Sequence, residues 1–275
     1  MANYQRYQYH SRRPARFRPP AVPSGHVGIE FEVEAQHPKG YHDLLDLLPD
    51  ISGKRRPIVE EDGSLSDWGG MEIIFPPLSP RQLRHKRGAL TRVAESLRGS
   101  VVEGADRIGM HYNYSTRGWS TAKKAKFCAI IHNLPLGFLE VLAARDPQGY
   151  DSRFEGRCAE FYASNSRQFC GNKSNRIEVR FFGSTTDTRL MRLRLDFLAV
   201  VEAAAESANW DALTRIQFEA RYPCDTYEPV AYTFSTSARA VLAASAAAKS
   251  SFSAALSSMK GSKWKALRQM WKEYS

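Results

Sequence analysis

Acidic side chains recur at every second position of one short segment near the start of the chain. Glu30, Glu32 and Glu34 alternate with apolar residues. Because successive side chains of a strand point to opposite faces, the three carboxylates are predicted to share one face. An alternating row of Glu is most often a solvated sheet face, and this is the interpretation adopted for Glu34. Glu30 and Glu32 are candidates for chemistry because later segments supply matching side chains.

Three further predicted strands each add ionisable or coordinating side chains to one face. In chain order these side chains are Glu72, His111, Asn113, Glu178 and Arg180. Carboxylates that converge without cations repel one another, and a divalent cation removes that repulsion. Ligation that is rich in oxygen and includes one imidazole favours Mg²⁺ or Mn²⁺ over Zn²⁺. The sequence therefore predicts a metal site on one face of a sheet.

An arginine beside that site indicates a phosphate-bearing substrate. Arg180 lies two residues after Glu178 and is predicted to share its strand face. Its planar guanidinium can bind a phosphate through two parallel hydrogen bonds, and Mg²⁺ bridges and neutralises phosphate oxygens during phosphoryl transfer. Together these features predict metal–nucleotide phosphoryl chemistry.

Short strands and amphipathic helices must position these side chains. Alternation predicts strands at 26–34, 109–114 and 176–182, and a short run at 71–75, ended by two prolines, predicts another. Apolar spacing predicts helices at 80–98, at 122–144 with an interruption near Pro135, and from an N-cap at 185–187 to about residue 208. The stretch between about 145 and 175 is predicted to be loop-rich, and its Arg145, Arg157 and Arg167 are open candidates for phosphate contacts.

Four segments, in this order, resemble the motifs of the amidoligase family, which belongs to the glutamine synthetase and glutamate–cysteine ligase superfamily. The segment 28–32 (GIEFE) looks like the family's G-x-E-x-E strand, and 61–65 (EDGSL) with 70–78 (GMEIIFPPL) is similar to its D-G-S and E…P-P-L segments. The segment 109–113 (GMHYN) resembles its G-x-H-x-H strand, and 177–184 (IEVRFFGS) its E-x-R…G-[ST] strand. The resemblance covers roughly residues 25–205.

The resemblance implies an α+β fold in which a curved, mostly antiparallel sheet, with helices packed on one face, forms the floor of an active site. It implies a ligase that uses ATP and Mg²⁺ to convert a carboxylate to an acyl phosphate, which an amine attacks to form an amide. The metal ligands that it implies are Glu30, Glu32, Glu72, His111 and Glu178. The resemblance implies that Arg180 and Asp62 are catalytic, with Asp62 near the amine. It implies that the nucleotide is contacted by His111, Asn113 and Arg180.

Two positions depart from the family pattern. Asn113 stands where the family often has a second His, and an amide cannot shuttle a proton at neutral pH. Phe75 replaces the usual small polar residue before the two prolines. The carboxylate and the amine that are joined stay undetermined, because such contacts lie on loops that vary freely.

Charge divides the chain into a near-neutral body and two basic ends. Residues 1–24 carry five arginines and no acid, and residues 235–275 carry seven Lys or Arg and one Glu, within a formal net charge of +10. We therefore predict a flexible basic arm at 1–24, a catalytic domain at 25–234 and an Ala/Ser-rich basic helical tail at 235–275. The tails would bind nucleic acid or another polyanion, or serve only as solubilising arms.

Two rival functions stay open from the sequence. One is a phosphotransferase of the same fold, like the guanidino kinases, and the other is a non-enzymatic nucleic-acid-binding protein that acts through its basic tails. No apolar stretch approaches the roughly 20 residues of a membrane-spanning helix, and the four cysteines are widely spaced. The opening segment lacks the apolar core of a secretory signal. We therefore expect a cytoplasmic protein with no membrane partner.

Overall fold

The computed structural model describes residues 6–7, 22–36, 40–51, 55–62, 65, 70–102, 108–132, 141–144, 170–173, 175–207, 246–260, 265, 268–269 and 272. The strands are β1 Arg6–Tyr7, β2 Val27–Val33, β3 Ile58–Glu61, β4 Met71–Leu78, β5 Met110–Ser115, β6 Cys170–Lys173 and β7 Arg176–Val179. The helices are α1 Gly40–Leu47, α2 Pro80–Leu83, α3 Ala89–Leu97, α4 Thr121–His132, α5 Thr188–Ser207 and α6 Ala246–Ser257.

The strands form one sheet in the order β1-β3-β4-β2-β5-β7-β6. Neighbouring strands run antiparallel except β1, which is parallel to β3. The fold is therefore α+β with a mostly antiparallel sheet, which confirms this part of the prediction. β1 belongs to the N-terminal segment for which no regular structure was expected.

The central strand, β2, separates an apolar face from an acidic one. Val27, Ile29, Phe31 and Val33 are fully buried and belong to one apolar core that also contains side chains of α1, α3, α4, α5 and α6. The intervening Glu30 and Glu32 lie on the opposite face. The alternation read from the sequence is thus confirmed in β2, and it determines which side chains can meet in a site.

The prediction that Pro76 and Pro77 end the second strand was wrong, because β4 continues through them to Leu78. β3 pairs with β4 only as far as Ile74, so the prolines need no partner on that side. On the other side, the register of β2 against β4 shifts between Val27 and Ile29. An edge position and a bulge are the two places where a strand accepts proline.

The helix predicted at 80–98 is divided into α2 and α3. Ser79 begins α2 with a capping box, in which its hydroxyl accepts from the amide of Gln82 and the Gln82 side chain accepts from the amide of Ser79. The chain then turns at 84–88, where the amide of Gly88 donates to the carbonyl of His85 at 2.8 Å. The apolar residues Leu83 and Leu90 are nevertheless both buried, as their spacing predicts.

Besides β1, the strands β3 and β6 were not predicted. β6 lies in the stretch expected to be loop-rich and pairs with β7 as a hairpin. Both strands have four residues, which gives too short a pattern for alternation to be recognised. β3 nonetheless borders the site, because its Glu60 lies opposite Glu72.

Helix α6 packs on α5 and completes the apolar core. The Phe197 and Phe252 ring centroids are 6.1 Å apart, and Phe252, Leu256 and Met259 are buried in the same core. The guanidinium of Arg268 donates to the carbonyl of Met259 at 2.6 Å. Part of the predicted basic tail is therefore integrated with the body. None of the helices in the described part of the chain has the length and apolar composition needed to cross a membrane.

Candidate metal and phosphate site

Strand register brings the predicted site residues into neighbouring rows on the acidic face. Glu30 of β2 lies opposite His111 of β5 on one side and opposite Ile74 of β4 on the other. One row along, Glu32 lies opposite Glu72. Side chains directly opposite in an antiparallel pair have Cβ atoms about 4.5–5.5 Å apart. Because β2 lies between β4 and β5, residues as far apart in the sequence as Glu30 and His111 are brought together.

Three of the predicted metal ligands meet closely. Glu30, Glu72 and His111 each offer one ligand atom within 4.8 Å of the others, and all three are buried. Two carboxylates and one imidazole form a donor set that suits Mg²⁺ or Mn²⁺. The Nδ1 atom of His111 is buried and makes no hydrogen bond to the described residues, so a cation would supply its missing partner. The residues present fit a divalent cation.

His111 stands between two carboxylates. Its Nδ1 is 3.5 Å from Oε2 of Glu30, and its Nε2 is 3.4 Å from Oε1 of Glu32. Only glycine at 109 permits this arrangement, since a Cβ there would lie 2.7 Å from His111 Nε2 and 3.1 Å from Glu32 Oε2. The amide of Gly109 donates to Glu32 Oε2 at 2.5 Å. Glu32 therefore contacts the imidazole and lies outside the group of three.

Glu178 and Arg180 lie on the far side of β5. Glu178 is opposite Asn113, and a guanidinium nitrogen of Arg180 is 3.5 Å from Glu178 Oε2. The Glu178 side chain is almost fully buried, whereas Arg180 is 18% exposed. This pair matches the predicted proximity of the two residues. Glu178 is not in the group of Glu30, Glu72 and His111.

Arg180 lies in a bulge rather than in the regular strand predicted to reach residue 182. Tyr112 pairs with Val179 and Gly109 bridges to Gly183, so three residues of one strand face two of the other. Such an insertion bends a strand and redirects its side chains. It accounts for the burial of two consecutive rings, Phe181 and Phe182, in the core. It also leaves Arg180 opposite the His111 end of β5.

Asn113 occupies the row between Gly28 and Glu178. It is buried, and its Oδ1 atom makes no hydrogen bond to the described residues. Asn113 therefore presents an acceptor beside Glu178, at the place where the resemblance implies a nucleotide contact.

Three other acidic residues lie near this face: Asp62, which was predicted as a site residue, Glu34, which was interpreted as solvated, and Glu60, which was not considered. Asp62 follows β3 and is buried, outside the group of three. Glu34 is only 2% exposed, so its interpretation as a solvated residue was wrong. Glu60 is 1% exposed and lies opposite Glu72, which extends the row from β2 to β3. The sequence signal that could have identified Glu60 is its spacing of two residues from Asp62, which places both on the same face of a strand.

A buried arginine supports the floor of the site from the apolar side. Arg194 of α5 is fully buried and donates to the carbonyls of Leu142, Ala143 and Gly183 at 2.9, 2.6 and 2.8 Å. Burial raises the pKa of the neighbouring Tyr112 to about 12, although Arg194 acts to lower it. Because Gly183 bridges to Gly109, Arg194 helps to fix the backbone beneath His111. No sequence pattern had indicated this role.

Several predicted features lie outside the described residues. These are the loop arginines Arg145, Arg157 and Arg167, together with most of the two basic ends. A comparison of the chain with protein-family models and a search of curated proteins found no match. The motif resemblance therefore stays a prediction, and the geometry of the acidic face is the independent observation.

Proposed function

We propose that the protein is an ATP- and magnesium-dependent carboxylate–amine ligase that forms an amide through an acyl phosphate. The observation that carries the proposal is the buried group of Glu30, Glu72 and His111, whose ligand atoms lie within 4.8 Å of one another. A glutamine synthetase-like arrangement of the sheet is part of the same proposal. An antiparallel sheet with one apolar and one acidic face supports it.

Each described residue has a role that its chemistry allows. A divalent cation held by Glu30, Glu72 and His111 would neutralise phosphate oxygens. Arg180 would bind the transferring phosphoryl group, with Glu178 at 3.5 Å orienting its guanidinium. In the reaction, a substrate carboxylate oxygen attacks the γ-phosphorus of ATP and ADP leaves. The amine nitrogen then attacks the acyl carbon, phosphate leaves, and Asp62 is the carboxylate proposed to accept the amine proton.

The proposal is tested by incubating the protein with ATP, Mg²⁺ and a library of amino acids and peptides. ADP release and an amide product detected by mass spectrometry are expected. Glu30→Gln and Arg180→Ala should abolish both. The matched variants Glu61→Gln and Arg98→Ala change exposed residues and should leave both intact.

The same experiment separates the rival functions. A stable phosphorylated product without an amide would favour a phosphotransferase. Turnover that Glu30→Gln and Arg180→Ala leave unchanged would refute the assignment of the site. An absence of ATP turnover, together with nucleic-acid binding that weakens steeply with salt and is lost when 1–24 and 235–275 are removed, would favour a nucleic-acid-binding protein.

A further inference from the structure

We propose that an exposed basic surface on α2, α3 and the turn between them is a docking site for duplex nucleic acid, which it binds through the phosphates. This surface lies on the body of the protein, whose charge is near neutral only on average. It is separate from the metal site, and its binding does not depend on the proposed ligase activity.

Positive charge is concentrated in this segment. Between Glu72 and Glu95 the chain has five Lys or Arg and no acid. Leu83 and Leu90 are buried in the core on the apolar side of the sheet, so the exposed side chains of the segment face solvent on the side away from the acidic face. The exposed basic side chains, which we call the basic patch, are Arg81, His85, Lys86, Arg87 and Arg92.

The charges of the basic patch are not neutralised within the described part of the chain. No ion pair joins its lysine or its arginines to a described carboxylate. Other basic residues on the helices are paired, since Lys123 lies 2.5 Å from Glu206 and Arg189 lies 3.0 Å from Asp187. The patch therefore presents its positive charges to solvent, where an anionic partner can reach them.

The backbone that carries the patch is held in place before any partner binds. The capping box of Ser79 begins α2, and Arg84 joins the following turn to Asp196 of α5 through an ion pair of 2.6 Å. The hydroxyl of Thr91 donates to the carbonyl of His85 at 3.1 Å, which ties the turn to α3. A surface that is ordered beforehand loses less conformational entropy when it binds.

The composition of the patch favours the phosphates of a duplex over unpaired bases or a lipid surface. Guanidinium and ammonium groups neutralise phosphates and release the counterions that surround them. Residues 79–94 contain no Phe, Tyr or Trp, so the patch has no ring on which an unpaired base could stack. Among the described residues, Leu47 is the only exposed large apolar side chain, so the patch has no apolar group to insert into a membrane. We therefore expect binding to the duplex backbone that is independent of base sequence.

The test is the binding of the full-length protein to a fluorescein-labelled DNA duplex of about 20 base pairs, measured by fluorescence anisotropy between about 0.05 and 0.3 M NaCl. In the double variant Lys86→Ala/Arg87→Ala, the slope of log K against log salt concentration should become shallower by about 1.8, because each lost phosphate contact contributes about 0.9. If the two proteins bind equally at about 1 M salt, this change corresponds to an affinity about 60-fold lower at 0.1 M. The variant Lys86→Arg/Arg87→Lys keeps both charges and should keep the wild-type slope.

The matched control is Arg55→Ala/Arg117→Ala, which removes the same number of charges from exposed positions outside the patch and should keep the wild-type slope. Equal losses in the two alanine variants would mean that net charge alone attracts the duplex, and would overturn the inference. An unchanged slope in Lys86→Ala/Arg87→Ala would assign the binding to the basic ends of the chain and overturn it as well. So would a wild-type protein that does not bind the duplex, whether or not it binds vesicles of phosphatidylglycerol.

Discussion

Replacement of Gly109 by alanine should disrupt the site while leaving the fold intact. A Cβ at position 109 would lie 2.7 Å from Nε2 of His111, so the imidazole must retreat by about 0.7 Å to reach a contact of 3.4 Å. The backbone of Gly109 does not have a positive φ, so alanine is compatible with the local conformation. Strain falls on His111 and on the carboxylate of Glu32.

The expected stability change is small because two effects oppose each other. Crowding of a packed interior costs about 1–3 kcal/mol, and Gly→Ala at a compatible backbone recovers about 0.4–1 kcal/mol through the unfolded state. The net loss should be about 1–2 kcal/mol in urea unfolding. The functional effect is larger, because a misplacement of about 1 Å can reduce turnover about 100-fold. Mn²⁺ affinity should also fall, since Nδ1 moves with the ring.

Gly28→Ala is the matched control for this variant. Its Cβ would meet Asn113 Cβ, Phe75 O and Pro77 Cγ at 3.7 Å, which is ordinary van der Waals contact. The added methyl group at position 28 lies on the acidic face but contacts none of the proposed metal ligands, so Mn²⁺ affinity should be retained. If Gly109→Ala binds Mn²⁺ with wild-type affinity, the position of His111 is not what the site depends on, and the reasoning is refuted.

Three further predictions follow from individual contacts. Mg²⁺ at about 100 times its Kd should stabilise the chelator-treated protein by about 2.7 kcal/mol in thermal unfolding. This stabilisation by Mg²⁺ should be lost in Glu72→Gln and retained in Glu61→Gln, which changes an exposed residue. Burial raises the pKa of Asp187, but hydrogen bonds and charge from Arg189 outweigh it and lower the pKa overall. The folded-state pKa is then below the unfolded one, so the stabilisation from the ionised Asp187 is present at neutral pH and is lost as pH falls through the folded-state pKa, and Asp187→Asn should abolish this part of the pH dependence in urea unfolding. Arg194→Met should destabilise by about 2–6 kcal/mol in urea, because the carbonyls of Leu142 and Gly183 each lose the Arg194 donor at a cost of about 1–3 kcal/mol, whereas the carbonyl of Ala143 still accepts from the amide of Gly183. An unchanged midpoint would contradict this assignment.

The sequence predicted the elements whose pattern is long and consistent. Seven residues of β2 alternate without exception, so the faces of Glu30 and Glu32 followed directly. The N-cap of α5 was equally clear, since the Asp187 carboxylate accepts from the amide of Arg189 at 2.9 Å. The alternation of β2 and the N-cap of α5 are local sequence patterns, and the tertiary contacts favour the same strand and the same helix start that these patterns predict.

Features that depend on pairing could not be predicted from one strand alone. β4 continues through Pro76 and Pro77 because β3 ends opposite Ile74, which is a property of the neighbouring strand. The bulge at Arg180 likewise exists only relative to β5. Proximity of Glu30 and His111 could be anticipated, but which carboxylate lies beside which imidazole nitrogen required distances. The contribution of Glu60 was missed because the short β3 was missed.

The acidic face is difficult to explain by stability alone. Among the described residues, seven carboxylates on or beside it are each at most 8% exposed: Glu30, Glu32, Glu34, Glu60, Asp62, Glu72 and Glu178. Burial of a charge costs several kcal/mol unless it is compensated, whereas a whole domain is stable by only about 5–15 kcal/mol. Apolar residues on both faces would make a more stable sheet. Retention of this many buried acids on one face, beside an apolar face that follows the usual pattern, supports the proposed function, in which a divalent cation would reduce the repulsion between Glu30 and Glu72.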